Sequence, residues 1–540
     1  MDNFSMLGES IIGLASNFSI WDGGFVGIYL VAVMTAGILV RKYVSKVDEF
    51  LLAGRELNIY LGIASLAATE FGIVTCMYTA QNGYDLGFSG MIIGILEMSA
   101  MIIVGLTGFC LKPLRNAGVI TIPELFDKVY GKKIRWLSGV VIVLGGLLNM
   151  GVFLRTGGDF LVMCCGLQLK HLEITMTVLL ACVAIYTVLG GLLSVLITDF
   201  IQFIVMSTGL ILITILIFFK VGWVNMVNTV QTHYGAAGFN PLAKPGEQWA
   251  YFVYNAIAIF ACVLTWQTMI QHALAAKDST VARKMYTRTS FFFACRFILP
   301  GLWGIAALTM LPPNWKETLM SALPAGSILA KQLTESPDRI TMYAMPTFLA
   351  TFVPVGLMGL LVAAMLAADM STDAVYMLSW AGVIYNDILG PFRKNWSEKR
   401  GIMINRFIVA CIGIFLLAYG LWYPLKGNLW NYIIVTGTIY MSSMSVLLVA
   451  CCYWKRANSW GAGAAIVVGA ALPVAYLVLE QVKATEHFTR EVIGVNLWGI
   501  WTFILTALAM IIGSLIKPGK TLNIVAAAAA EAAAKGKTGA

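Results

Sequence analysis

One apolar stretch, LVAAMLAADMSTDAVY (361–376), carries polar groups that could bind an ion. On a helix, Ala368, Ser371 and Thr372 share one face, because their spacing is i, i+3 and i+4. Two hydroxyls and a freed main-chain carbonyl would give an all-oxygen ligand set, which suits a hard cation. A Ser-Thr pair in a membrane helix more often serves packing, so the ion-binding interpretation needs a partner stretch elsewhere in the chain.

Buried acids form a second candidate group. Asp369 and Asp373 lie on the neighbouring face of the same helix, and Asp199 falls inside the apolar stretch LITDFIQF. Ionisable side chains at membrane depth are costly and usually mark an ion path or a proton relay. These three residues therefore predict a second cation site or a proton site. Together with Glu70, they keep a proton-coupled carrier open as an alternative.

The partner stretch is LGIASLAATEFGIVTCMYTA (61–80), which has Glu70 close to Gly72 in its middle. A glycine beside a buried carboxylate is a place where a membrane helix can unwind and turn carbonyl oxygens toward an ion. The next apolar stretch repeats the pattern with Glu97 and Ser99. These polar residues at mid-span predict a binding site inside a helical bundle.

Composition sets the class of protein that must position these residues. Of 540 residues, 59% are hydrophobic and 12% are charged, and the mean hydropathy is +0.82. Apolar runs of about 20 residues recur along the chain and are too long for barrel strands, so the fold class is all-α and polytopic. The net charge of +9 indicates no nucleic-acid partner, because the basic residues concentrate in the loops of one side. Four His and no nucleophile–base arrangement argue against an enzyme.

The chain divides into thirteen predicted spans embedded in a lipid bilayer. The excess of Lys and Arg on one side predicts an outer N-terminus and an inner C-terminus in the plasma (cytoplasmic) membrane. Residues 1–23 contain no Lys or Arg and so lack the basic region of a signal peptide. The spans lie near 24–41, 59–80, 89–111, 136–165, 171–189, 192–219, 250–275, 289–312, 354–387, 402–423, 429–452, 459–480 and 494–516.

Six motifs in order resemble those of the solute:sodium symporter family: FLLAGRE (50–56), GVITIPELFDKVYGKK (118–133), YTVLGGLLSVLITDFIQ (186–202), IQHALAAKDS (270–279), AADMST (367–372) and YWKRANSWGA (453–462). The resemblance covers about residues 24–516 and implies a leucine-transporter-type core of two inverted five-helix repeats. It divides the chain into an N-terminal part (1–58), repeats at 59–219 and 250–452, an outer loop (220–249), two further helices (453–516) and a low-complexity tail (517–540). The first helix of each repeat should be broken, near Gly72 and near Trp266.

The resemblance also implies a sodium site and its ligands. These would be the carbonyls of Ala68, Phe71 and Ala368 with the hydroxyls of Ser371 and Thr372. Sodium would be the coupling ion, with no other cofactor or metal. Some family members hold a second sodium between the Asp199 position and three hydroxyls. Here two of those positions are Ala374 and Val375, which predicts one sodium per solute.

The solute is predicted less sharply, as a small carboxylate-bearing molecule such as an amino acid or a monocarboxylate. Arg155 and Arg296 could each hold a carboxylate, although Arg155 could instead pair with Asp159. Sugar-transporting members carry Asn, Lys and Gln where this chain has Ile259, Phe293 and Ile433. The predicted solute contacts are Thr69, Glu70, Glu97, Ser99, Arg155, Trp266 and Gln267.

Other functions remain open from the sequence. A sugar or a sialic-acid-type solute would keep the transporter class and change only the substrate. A sensor function is a further alternative, since some relatives with this fold serve as input domains of histidine kinases, and no kinase is expected after residue 516. The protein is expected to work as a monomer.

Overall fold

The computed structural model describes residues 16–40, 42, 46–168, 171–242, 248–323, 328–392, 396–423, 425 and 427–517. The predicted tail at 517–540 lies almost wholly outside the described residues. The described part is helical throughout, apart from turns and one isolated parallel bridge between Leu57 and Ala276. The fold class is therefore all-α, as the sequence predicts.

The first long helix, α1, is held to the rest of the bundle through an acid near its start. Asp22 is buried and accepts hydrogen bonds from the hydroxyl of Ser19 (2.6 Å) and from the backbone N–H groups of Gly356 (2.8 Å) and Gly359 (2.6 Å). Helix α1 spans Ile20–Val40, and the short α2 spans Val47–Leu52.

The first five-helix group contains eight helical elements, because two of its spans are interrupted, two spans join in one element, and two short helices lie between spans. Asn58 caps its first helix by accepting from the backbone N–H groups of Tyr60 and Leu61. The helices are α3 (Ile59–Thr69), α4 (Ile73–Leu86), α5 (Ile92–Thr107), α6 (Leu111–Asn116), α7 (Ile122–Tyr130), α8 (Lys132–Met150), α9 (Phe153–Cys164) and α10 (Leu172–Lys220). The outer helix α11 (Trp223–Tyr234) follows.

The second group repeats this plan. Its helices are α12 (Gln248–Thr265), α13 (Gln267–Ala275), α14 (Ser279–Met310), α15 (Trp315–Ala322), α16 (Ile328–Glu335), α17 (Ala344–Phe352), α18 (Leu357–Val383), α19 (Glu398–Trp422) and α20 (Leu429–Tyr453). Helices α21 (Ser459–Gln481), α22 (Lys483–His487) and α23 (Gly494–Ile516) complete the described chain.

Both predicted helix breaks are present. Helix α3 ends at Thr69 and α4 begins at Ile73, with Gly72 in an extended conformation (φ −99°, ψ 173°). Helix α12 ends at Thr265 and α13 begins at Gln267, with Trp266 extended between them (φ −62°, ψ 115°). Each break frees carbonyl groups from the regular helical pattern at mid-span.

The span count differs from the thirteen predicted. Among the described residues, eleven helices are long and apolar enough to cross a membrane. One of them, α10, contains the fifth and sixth predicted spans, which meet at Gly191 (φ 57°). The region Ile73–Thr107 likewise contains the second half of one predicted span and most of the next. The count of thirteen is therefore not confirmed.

The two broken spans are tied together at one end. The backbone N–H of Leu57 donates to the carbonyl of Ala275 (3.1 Å), and that of Lys277 donates to the carbonyl of Leu57 (3.1 Å). Arg115 donates two hydrogen bonds to the carbonyl of Ala276, from Nε at 2.8 Å and from Nη2 at 2.6 Å. The start of α3 and the end of α13 therefore share one main-chain junction.

Helices α4 and α14 touch backbone to backbone through glycines. A Cβ at Gly83 would overlap the carbonyl of Gly301, and a Cβ at Gly304 would overlap the carbonyl of Ala80. Because both obstacles are main-chain atoms inside packed helices, neither can be relieved by a side-chain rotation. Small residues allow this kind of close approach in membrane bundles.

We expect Gly304→Ala to destabilise the protein by about 1–3 kcal/mol, the usual cost of overpacking. Thermal unfolding of the detergent-solubilised protein measures the effect. Gly24→Ala is the control, because a Cβ at Gly24 would meet nothing within 4 Å. An unchanged melting temperature in Gly304→Ala would contradict the close packing of α4 against α14.

Candidate functional site

The break between α3 and α4 faces the hydroxyl face of α18. Thr372 Oγ1 donates to the carbonyl of Thr69 at 2.8 Å, and a Cβ at Gly72 would lie only 3.0 Å from Thr372 Oγ1. Ala68, Phe71 and Ala368 are fully buried around this contact. The fold therefore brings together the two stretches that contain the predicted sodium ligands.

An acid adjoins these hydroxyls. Ser371 donates to Asp199 Oδ1 at 2.5 Å, and Ser65 of α3 donates to Asp199 Oδ2. Ser65 in turn is 2.8 Å from His272 Nε2, while His272 Nδ1 is 2.8 Å from the carbonyl of Thr268. This series of hydrogen bonds connects α10, α18 and both broken spans beside the predicted sodium ligands.

The other two predicted acids lie on the neighbouring face of α18. Asp369 and Asp373 are each 1% exposed, and the two carboxylates repel each other. Asp369 accepts from the backbone N–H of Ile73, at the start of α4. Both oxygens of Asp373 lack a hydrogen-bond partner among the described residues. Asp199 is thus separated from this pair, and the three acids do not form one site.

A small cavity of about 70 Å³ lies next to the break. Helices α4, α5, α8, α9, α12, α14, α18 and α20 and both helix breaks contribute to its lining. Its walls are Glu70, Val74, Thr75, Tyr78, Glu97, Asn149, Phe153, Ala258, Ile259, Cys262, Trp266, Arg296, Phe297, Tyr376, Trp430, Ile433, Ile434 and Met441.

An ion-pair cluster forms one wall of the cavity. Arg296 Nη2 lies 2.7 Å from each oxygen of Glu97, and its Nε lies 3.1 Å from Oε2. Its Nη1 donates to the carbonyl of Glu70 and lies 3.7 Å from that residue's Oε2. The guanidinium also packs over the ring of Phe293 at 4.5 Å. Arg296 therefore holds Glu97 directly and anchors the broken helix at Glu70.

Glu70 and Trp266 are positioned by the second broken span and by α18. Thr268 donates to Glu70 Oε1, and the hydroxyl of Tyr376 donates to Oε2 at 3.4 Å. Trp266 Nε1 donates to the Tyr376 hydroxyl at 2.8 Å. Both helix breaks thus contribute a residue to the same cavity wall, connected through Tyr376.

The structure separates the predicted solute contacts into two sets. Glu70, Glu97 and Trp266 line the cavity, whereas four other residues do not. Ser99 lies two positions after Glu97 in α5, so its side chain points away from the cavity. Its hydroxyl donates to the carbonyl of Ile95 on the same helix. The remaining three, Thr69, Arg155 and Gln267, are buried but outside the cavity wall.

Arg155 belongs to a separate polar cluster. Its Nε lies 3.2 Å from Asp159 Oδ1, and Asp159 Oδ2 accepts from the hydroxyl of Tyr343 at 2.9 Å. Arg339 Nη2 lies 3.7 Å from the same oxygen. The cluster joins α9 to the segment before α17, so a contact between Arg155 and a solute in the cavity is not supported.

We expect Arg155→Gln to leave the solute concentration for half-maximal uptake within about twofold. Asp159 keeps Tyr343 and Arg339 as partners, so the expected loss is about 1 kcal/mol of stability. Uptake kinetics and a melting curve separate the two effects. If Arg155→Gln had normal stability but a tenfold weaker apparent affinity for solute, Arg155 would contact the solute after all.

Several cavity residues were not anticipated. Asn149, Tyr78, Tyr376 and Trp430 come from four separate helices, so no local spacing connects them. Tyr376 could have been suspected, because it lies three positions after Asp373 on the same polar face of α18. Ser65 and His272, which bond around Asp199, had no signal of their own in the sequence.

Known proteins resemble this chain over most of its length. Sodium/glucose cotransporter 1 of Ovis aries is 26% identical over 501 residues, covering 86% of this chain and 72% of that protein. Sodium/glucose cotransporter 4 of Danio rerio is 25% identical over 500 residues, with the same coverage. The sodium/myo-inositol cotransporter of Mus musculus is 24% identical over 498 residues, covering 85% of this chain and 67% of that protein.

The fold matches a solved structure, the substrate-bound outward-open state of a Na+-coupled sialic acid symporter. The TM-score is 0.75 at 19% identity, with 93% of this chain and 99% of that chain covered. The fold is therefore of the leucine-transporter type. A sequence model of the Sodium:solute symporter family matches residues 50–469. This protein belongs to the sodium:solute symporter family, as a multi-pass membrane transporter for which sodium is the coupling ion.

Proposed function

We propose that this protein imports a small hydroxylated solute, of the sugar or polyol class, together with sodium. The observation that carries the proposal is the cavity beside the helix break. Among its described lining residues the one cation is Arg296, which is already bound to Glu97. A guanidinium paired with a buried carboxylate offers no free fork to a solute carboxylate. This favours a hydroxylated solute over the carboxylate-bearing solute predicted from the sequence.

The similar proteins also support a hydroxylated solute. Proteins named for glucose and for myo-inositol resemble this chain over more than four-fifths of its length. Carboxylates and amide oxygens accept hydrogen bonds from hydroxyl groups, and aromatic walls pack against ring faces. Ile259 and Ile433 stand on the cavity wall and would contact the solute through apolar surface only.

We propose that sodium binds where the break meets α18. Its ligands would be the carbonyls of Ala68, Phe71 and Ala368 and the hydroxyls of Ser371 and Thr372. The close approach of Thr372 to Thr69 and Gly72 supports this assignment. The site lies next to Glu70, so solute and ion would bind on the two sides of one unwound segment.

One sodium per solute is the proposed stoichiometry. A second sodium beside Asp199 would need hydroxyls at the positions of Ala374 and Val375, which have none. A monovalent ion cannot replace its hydration shell with a partial set of ligands. Asp199, Asp369 and Asp373 stay candidates for a second cation or a proton.

We also propose the arrangement in the membrane that the charge distribution predicts. The N-terminus would lie outside and the C-terminus inside the plasma membrane, with repeats at 59–219 and 250–452. One chain contains both halves of the cavity wall, so a monomer would suffice for transport.

The test is uptake of radiolabelled D-glucose and myo-inositol into proteoliposomes under an inward sodium gradient. We expect sodium-dependent accumulation that stops when potassium replaces sodium. A reversal-potential measurement gives the coupling ratio, expected to be one sodium per solute. Equal uptake in potassium under a proton gradient would overturn sodium coupling at this site.

A further inference from the structure

The charges on the cavity wall do not cancel. Among its lining residues, the ionisable acids and bases are Glu70, Glu97 and Arg296, which sum to −1. All three are buried, with 5%, 0% and 6% of their surfaces exposed. An uncompensated charge in such a place is expensive unless a binding partner supplies the opposite sign.

The excess negative charge belongs to Glu70 rather than Glu97. Arg296 lies 2.7 Å from both oxygens of Glu97, but 3.7 Å from the nearer carboxylate oxygen of Glu70. The hydroxyls of Thr268 and Tyr376 provide the other contacts of Glu70, and both are neutral. A carboxylate has about four acceptor positions, so Glu70 keeps acceptor capacity for a ligand.

The cavity offers a second unused acceptor. Asn149 is 1% exposed, and its Oδ1 lacks a partner among the described residues. Its Nδ2 donates to the carbonyl of Ile433 (2.8 Å) and to Thr436 Oγ1 (3.0 Å), which fixes the orientation of the amide. The cavity wall therefore has a free acceptor, which a ligand with a hydrogen-bond donor would satisfy.

The remaining wall is rich in aromatic rings: Tyr78, Phe153, Trp266, Phe297, Tyr376 and Trp430. Tyr78 and Trp430 pack at 4.9 Å between centroids, and Phe153 lies 5.3 Å from Tyr376. Aromatic faces attract ammonium groups, most strongly when water is excluded. Negative charge, free acceptors and aromatic faces all favour the same kind of ligand.

The coupling sodium does not remove this requirement. Its proposed ligands lie on the α18 side of the break, where Asp199 contacts Ser371 and already supplies a negative charge. That acid has two hydroxyl donors, from Ser65 and Ser371, and no basic side chain at its carboxylate among the described residues. The proposed sodium therefore has an acid of its own in Asp199, and the described basic side chain nearest to the carboxylate of Glu70 is Arg296, at 3.7 Å.

We propose that the transported solute carries a positively charged amino group, held by Glu70 and Asn149 Oδ1 against the aromatic wall. This deepens the proposed function, on which it rests for the identity of the cavity as the solute site. The solute class becomes an aminated polyol or a similar organic ammonium ion, rather than a neutral sugar.

The test compares matched pairs that differ mainly in charge: D-glucosamine with D-glucose, and choline with 3,3-dimethyl-1-butanol. In proteoliposome uptake under an inward sodium gradient, with potassium as the replacement ion, we expect the charged member of a pair to be preferred by about tenfold or more. Charge movement per solute should be about two, one from sodium and one from the solute, because the proposed coupling is one sodium per solute.

Glu70→Gln should remove the preference for the charged member of each pair. Glu317→Gln is the matched control, since Glu317 is exposed on the outer helix α15. The charge-per-solute measurement uses the unaltered protein, so it tests the proposal even if Glu70→Gln does not fold.

Two outcomes would overturn the inference. The first is neutral D-glucose or 3,3-dimethyl-1-butanol being carried as well as its charged partner. The second is a Glu70→Gln variant that keeps the charge preference. Sodium-dependent uptake of the neutral sugar alone would refute the amino group and leave the proposed function intact. Heat stabilisation by choline or glucosamine without sodium-dependent uptake would support the amino group and refute the proposed coupling.

Discussion

Arg296→Ala is expected to be the most damaging single substitution in the transporter. It would leave Glu97, which is fully buried and bonded to the guanidinium through both oxygens, without a counter-charge. It would also free the carbonyl of Glu70 at the helix break. Breaking a buried ion pair in this way costs about 3–5 kcal/mol. We expect little folded protein in the membrane and no measurable transport.

The comparison that isolates the charge is the double variant Arg296→Met with Glu97→Gln. Neutralising both partners should restore folding, because a buried pair contributes little net stability, while uptake stays absent. Arg288→Ala is the control on the same helix, since Arg288 is exposed. Normal yield and melting temperature in Arg296→Ala would show that Glu97 finds another partner.

Ser371→Ala should raise the sodium concentration for half-maximal uptake by about tenfold or more. The substitution removes one proposed sodium ligand and the 2.5 Å hydrogen bond to Asp199. A hydrogen bond to a charged group contributes about 1.5–3 kcal/mol, which corresponds to that change in affinity. Alanine is well tolerated in helices, so α18 should stay folded.

Ser379→Ala provides the matched control on α18. Ser379 is equally buried and donates to Gln271, two turns away from the break. Its loss should lower the melting temperature slightly and leave sodium dependence unchanged. Identical sodium titration curves for Ser371→Ala and the unaltered protein would remove Ser371 from the sodium site.

The fold could be predicted because its signals are local. Uninterrupted apolar runs define helices in a bilayer, since no other open structure satisfies the backbone there. Gly72 marked one break through its own conformational freedom. The span count could not be fixed in the same way, because the two predicted spans on either side of Gly191 follow one another without a loop and meet at a kink within α10.

The site was predictable only in part. The hydroxyl face of α18 follows from i, i+3 and i+4 spacing, and Glu70 and Glu97 were visible as acids within apolar runs. Their pairing with Arg296 was not visible, because α14 is some 200 residues away in the sequence. Arg155 was interpreted as a solute contact from its charge, with a local pair to Asp159 as the alternative. The structure contains that pair, whereas the contacts of Tyr343 and Arg339 with Asp159 are long-range and were not visible.

The junction at Leu57 and Ala276 affects how turnover should respond to temperature. It joins the two broken spans through two main-chain hydrogen bonds, and Arg115 donates to the adjacent carbonyl of Ala276. An opening that separates the two spans at that end would break these bonds together before water could replace them, and such a step would have a high activation enthalpy. Solute binding at mid-span needs no such rupture. Cooling should therefore slow turnover far more steeply than it changes the fraction of protein with solute bound. In the cold, most of the protein would hold solute while the Leu57–Ala276 junction stays closed.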